Sequence, residues 1–119
     1  VYVVPPQCGG AKRELDRSGG KAGELRVRLV CVEDAETGGR LDLATVGANA
    51  RRAIEDSSAV GYIEAPGPAT RHSVPILEEA KIAVVESGSG AASMGRLLDA
   101  IRAAGTASGL REAVGDELE

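Results

Sequence analysis

Four short apolar runs, each followed by a segment with helical periodicity, constrain this chain more than any other feature. The runs are Val1–Val4, Leu25–Val32, Ala59–Ile63 and Ile82–Val85. Alternation of strand and helix builds βαβ units around a parallel sheet. The expected fold is α/β, a flavodoxin-like doubly wound sheet of about four parallel strands. Its expected order is 2-1-3-4, with helices on both faces and right-handed crossovers.

The details follow from local chemistry. Pro5-Pro6 stops the first strand, because proline cannot donate to a ladder. A helix over Ala11–Arg17 offers only Ala11 and Leu15 for burial, between two glycine pairs. In the second strand Leu25, Val27, Leu29 and Cys31 share one face, and Arg26 and Arg28 the other. This pattern suits an edge strand with one partly wet face. Glu33–Gly39 reads as a polar loop. Asp42 is placed to cap a helix over Leu43–Asp56, whose stripe is Leu43, Val46, Ala50, Ala53 and Ile54. Pro66-Gly67-Pro68 forms a rigid loop before a helix over Ala69–Ala80. Ser73, Ile76, Leu77 and Ala80 point inward there, and Pro75 confines or kinks the early turns. Met94, Leu97, Leu98 and Ile101 give the helix over Ala91–Ala104 its buried face, and Gly105 ends it. Ser108 caps a last helix carrying Leu110, Val114 and Leu118.

Composition narrows the function. The chain has 119 residues, enough for one domain, and 43% are hydrophobic but only 2% aromatic. The core is therefore aliphatic, and the rings that stack on bases or sugars are scarce. Net charge is −4, and the basic pairs Lys12-Arg13 and Arg51-Arg52 sit beside acids. The footprint of a nucleic-acid binder is missing. No run approaches the ~20 apolar residues of a membrane span. The chain opens directly on a strand with no signal peptide ahead of it, as a mature or trimmed chain would, so this says little about location. One histidine and two cysteines make no zinc site, and no cofactor is expected.

In doubly wound sheets, ligands bind beyond the carboxyl ends of the strands, at the switch between strands 1 and 3. The loops there are Pro5–Gly10, Glu64–Thr70 and Glu86–Gly90. Gly88-Ser89-Gly90 precedes a helix and could hold an anion on backbone N–H groups. However, Ser93 stands where a dinucleotide fingerprint needs its third glycine, and no Walker lysine follows. A small-residue connection is the preferred reading. Glu33-Asp34 could bind ribose, but without a glycine motif after strand 1 it reads as loop solvation or capping. His72 has no partner at catalytic spacing, because its neighbour Ser73 faces elsewhere on a helix. No catalytic constellation emerges, and a nucleotide or flavin enzyme would rest on fold analogy alone.

Cys8 and Cys31 fall near the carboxyl ends of neighbouring strands. A disulfide between them needs Cα atoms within ~7 Å and would suit an extracytoplasmic protein. The alternative, a buried Cys31 with a free Cys8, is slightly preferred.

Residues 25–85 resemble the N-terminal lobe of type I periplasmic substrate-binding proteins, in the branched-chain amino acid group of ABC transporters. The most specific stretches are "ANARRAIEDSSAVGYIE" and "ATRHSVPILEEAKIAVV". "SMGRLLDAIRAAG" is similar to the helix that returns to this lobe after the second one. The resemblance implies non-enzymatic capture of a small solute such as an amino acid. It also implies an extracytoplasmic location and a permease partner. Carried over by position, the ligand-binding candidates are Gly67, Ala69, Thr70, Ser87 and Ser89. The chain departs from the family at "EAPGPAT", where a serine-bearing loop is usual and where Pro66 and Pro68 remove donors. It departs again at residues 86–90, a Gly/Ser joint where the second lobe would be inserted. A natural reduced relative and an engineered single lobe both fit, and "PPQCGG" favours the former. The other functional class is an interaction module, a homodimer through the ligand edge with little or no ligand binding.

Overall fold

The computed structural model describes residues 1–5, 7–37, 40–86 and 89–105. Twelve elements follow one another among them: β1 (Tyr2–Val3), α1 (Cys8–Arg17), β2 (Lys21–Ala22), β3 (Leu25–Arg26), β4 (Val30–Cys31), β5 (Glu36–Thr37), β6 (Arg40–Leu41), α2 (Leu43–Glu55), β7 (Gly61–Glu64), α3 (Thr70–Glu79), β8 (Ala83–Glu86) and α4 (Gly90–Ala104). The main sheet has the order β4-β1-β7-β8 and is parallel throughout. This is the expected 2-1-3-4 arrangement of the four principal strands.

Each face of the sheet carries its own core. On one, Val3, Ile63, Ala83 and Val85 meet Ala11 and Leu15 of α1 and Met94, Leu97, Leu98 and Ile101 of α4. On the other, Tyr2, Val4, Tyr62 and Ile82 meet Ala50 and Ala53 of α2 and Leu77 of α3. The period of two along each strand sends alternate residues to opposite faces, so four residues of β7 can feed both cores. Burying one Leu or Met of this kind stabilises by about 1.5–3 kcal/mol.

Two glycines permit the close approaches. A Cβ on Gly61 would run into the Leu97 side chain, so α4 lies directly over β7 only because Gly61 has none. A Cβ on Gly90 would collide with the Gln7 carbonyl oxygen, so the first turns of α1 and α4 meet backbone to backbone. Ser89 caps α4, its hydroxyl accepting from the Ala92 N–H at 3.2 Å. Ser89 and Gly90 are thus parts of a packed helix start. Ser87 and Gly88, the rest of the expected joint, lie outside the described residues, as does the last helix expected after Ser108.

Several expectations are corrected. Leu25–Val32 is not one strand: Leu25–Arg26 turns back on Lys21–Ala22 as an antiparallel hairpin, and only Val30–Cys31 joins the main sheet. The left-handed Gly23, at φ 61°, allows that tight turn. The polar loop over 33–39 contains β5, which pairs antiparallel with β6. Helix α1 starts at Cys8, taking in Gly9 and Gly10. Leu43 and Ile54 flank the α2 stripe and are 50% and 38% exposed, while Asn49 takes a buried place. The Asn49 amide earns it by donating to the Glu33 carbonyl at 2.8 Å. Ala80 is exposed because α3 ends at Glu79. Pro75 sits inside α3 and faces solvent.

Candidate functional site

The carboxyl ends of β1, β4 and β7 enclose a cleft of about 420 Å³. Val4 and Pro5 form its base beside β1. Asp34, Ala35 and Leu41 form one wall, and Glu64 with the Ala65–Ala69 loop forms the other. The cleft sits at the switch point between β1 and β7, where the chain crosses from one side of the sheet to the other. Among the described lining residues there is no Lys, Arg or His, and there are two carboxyls.

Glu64 is the least expected of these groups. It ends β7 and is only 4% exposed. Ser73, fully buried on α3, donates its hydroxyl to Glu64 Oε1 at 2.5 Å. Burial pushes the Glu64 carboxyl above the usual range; the Ser73 hydrogen bond opposes the shift, and the nearby Glu86 charge adds to it. Glu86 is the register partner of Glu64 on β8. Two residues before Glu64, the Tyr62 hydroxyl is buried with no hydrogen-bond partner among the described residues. Burial, and then the Glu64 charge, raise its pKa above the ordinary phenol value. An unpaired buried hydroxyl costs about 1–3 kcal/mol. Perturbed, costly groups of this kind concentrate at functional sites.

The candidates from sequence separate into groups. Gly67 and Ala69 line the cleft. The Thr70 hydroxyl donates to the Gly67 carbonyl at 2.7 Å and closes the turn into α3, so its role is to shape the rim. Ser89 is occupied in capping α4. Ser87 lies outside the described residues. Asp34, read from sequence as loop solvation, forms part of the wall. His72 is exposed on α3. Glu64 opens the Glu64–Thr70 loop expected at the ligand edge but was not singled out, although a lone acid closing the apolar run "GYI" before a Pro/Gly loop is a readable signal.

Cys8 and Cys31 form a disulfide, with Cα atoms 5.9 Å apart. This corrects the preferred reading of a free Cys8 and a buried Cys31, since Cys31 is bonded and exposed. The pairing follows from topology: β1 and β4 are parallel neighbours, and each cysteine lies at or just beyond the carboxyl end of one of them.

A second pocket, of about 290 Å³, opens at the amino end of the sheet between Tyr2, Leu25–Arg28, Asp56, Ser58–Val60 and Ile101. Three of its polar side chains, Tyr2, Asp56 and Ser58, satisfy one another. The Tyr2 hydroxyl donates to Asp56 Oδ2 at 2.8 Å, and Ser58 donates its N–H and hydroxyl to Asp56 Oδ1 at 2.9 and 2.6 Å. The Arg52 guanidinium lies 5.9 Å from the Tyr2 ring centroid.

Comparison with protein-family models, with curated proteins and with solved structures returned no match to this chain.

Proposed function

We propose that this chain is a non-enzymatic binding lobe for a small polar solute of amino-acid type, held in the carboxyl-edge cleft. The observation that carries the reading is the cleft itself: a concave space at the switch point, walled by the Asp34–Ala35 segment and the Ala65–Ala69 loop. The choice of an amino-acid-type solute comes from the sequence resemblance to substrate-binding proteins. The lining chemistry favours a solute with an ammonium group, since Asp34 and Glu64 present carboxyls there. The solute's carboxylate would face the start of α3, where helix N–H groups carry partial positive charge. Gly67, exposed and unobstructed, lets backbone approach the ligand. In the type I substrate-binding arrangement a second lobe would close over this edge, and a permease would receive the solute. The Cys8–Cys31 bond accords with an extracytoplasmic location.

Calorimetry of the chain with an amino-acid panel tests the proposal, with matched amines and carboxylic acids as controls. A single lobe buries only part of the solute, so the expected dissociation constants are millimolar, with amino acids and amines ahead of carboxylic acids. No heat at millimolar concentration, or preference for simple carboxylates, would overturn it.

A further inference from the structure

We propose that the Cys8–Cys31 disulfide is a redox-sensitive staple on the wall of the carboxyl-edge cleft. It depends on the proposed function only for what the cleft holds. The two cysteines flank, along the chain, the segments that form the base and one wall of the cleft. Val4 and Pro5 precede Cys8, and Asp34 and Ala35 follow Cys31. Among the described residues that wall has fewer ladder bonds than the one opposite, although Val32 and Ala35 are buried and the Asp42 N–H donates to the Ala35 carbonyl at 2.7 Å. Strand β4 is at the edge of the sheet and contributes two ladder residues, Val30 and Cys31. Beyond it, the Val32 N–H donates to the Val3 carbonyl at 3.0 Å, and the Asn49 side chain holds the Glu33 carbonyl. The opposite wall hangs from β7, whose four residues are buried and paired on both sides.

The chemistry suits exchange with a dithiol reductant. Cys31 is exposed and Cys8 is half-buried, so the incoming thiolate attacks Cys31 Sγ. The Sγ–Sγ bond breaks, and Cys8 leaves as a thiolate. Cys8 is the first residue of α1, where the helix N-terminus stabilises that negative charge and eases its departure. The reductant's second thiolate then attacks its own sulfur in the mixed disulfide and releases the Cys31 thiolate. The reductant gives two electrons and becomes a disulfide, and this chain ends as two thiols. With the staple open, the Val32–Ala35 wall loosens while β7 and β8 stay packed.

The test is amide hydrogen exchange, followed by NMR, on the full 119-residue chain. It is run oxidised, reduced with dithiothreitol, and reoxidised. Reduction is expected to speed exchange of the Val32 and Asp42 N–H groups, which bond the Val3 and Ala35 carbonyls, reversibly and by roughly tenfold more than at Ile63, Val84 and Val85, where any rise reflects the general loss of stability. A Cys8→Ser/Cys31→Ser variant should match the reduced pattern without reductant. Unchanged exchange at Val32 and Asp42 would overturn the proposal. An equal rise in β7 and β8 would also overturn it, because the bond would then hold the whole fold and not one wall. Leucine titration of the same samples separates the two readings. If the oxidised chain binds no leucine, the functional proposal fails while the exchange result still decides the staple.

Discussion

The two ends of the sheet hold similar materials and use them differently. At the amino end, Tyr2, Asp56 and Ser58 close a polar network in which each named side chain has a partner. At the carboxyl end, Glu64 is held against its own solvation by the Ser73 hydroxyl, and Tyr62 behind it has no partner among the described residues. The first arrangement stabilises the fold. The second costs stability, and its Glu64 lies in the cleft where we propose that a solute is held. Pocket size alone does not separate the two ends; hydrogen-bond satisfaction does.

Four changes would break or sharpen this contrast. The largest effect is expected from Cys8→Ser/Cys31→Ser. Cross-linking residues 23 apart restricts the unfolded chain, and losing the link costs about 3 kcal/mol by chemical denaturation. At the amino end, Tyr2→Phe deletes a hydrogen bond to a charged acceptor and should lower stability by about 1.5 kcal/mol, with no effect on solute binding. Acid acts on the same network. Hydrogen bonds, chiefly from Ser58 and then from Tyr2, hold the Asp56 carboxyl down at about 2, below its ordinary 3.8. A depressed carboxyl contributes stability above its unfolded pKa and loses it as pH falls through the folded one. Wild-type stability should therefore decline from about pH 4 towards pH 2, and Tyr2→Phe should flatten that decline. The smallest effect has the opposite sign. The Glu64 carboxyl is raised from 4.5 by burial, so its ionisation is unfavourable in the folded chain. Its contribution to stability falls as pH rises from about 4.5 through the folded pKa. Glu64→Gln keeps an acceptor for Ser73, removes that slope, and should leave the protein slightly more stable at neutral pH. A loss of stability at neutral pH would mean that Glu64 belongs with the satisfied amino-end groups.

How far the sequence reached varied with the kind of interaction. The sheet order was legible because apolar runs and helical periodicities alternate, and only a few parallel arrangements satisfy that alternation. Helix α4 was legible because Met94, Leu97, Leu98 and Ile101 mark one face and Gly105, at φ 76°, stops it; its Ser89 cap was not read, since Ser89 sat in what looked like a Gly/Ser joint. The split of Leu25–Val32 was not, since alternation reads the same in a hairpin arm as in a core strand. What decides is the left-handed backbone at Gly23, which makes the turn. Gly61 and Gly90 were opaque for a related reason: their role is the absence of a Cβ facing Leu97 and Gln7, a long-range fact. At the site, the loop carrying Gly67 and Ala69 was found from topology. Glu64 was overlooked because an acid at the end of a strand ordinarily faces water, and only the packing of α3 buries it.

The most direct test of the account is an NMR titration of the ¹⁵N-labelled, disulfide-intact chain with leucine. The account predicts shifts confined to the carboxyl edge, at Asp34, Ala35, Glu64, Ala65, Gly67 and Ala69, saturating in the millimolar range. Shifts at Leu25–Arg28 and Val60, around the amino-end pocket, or no shifts at all, would contradict it.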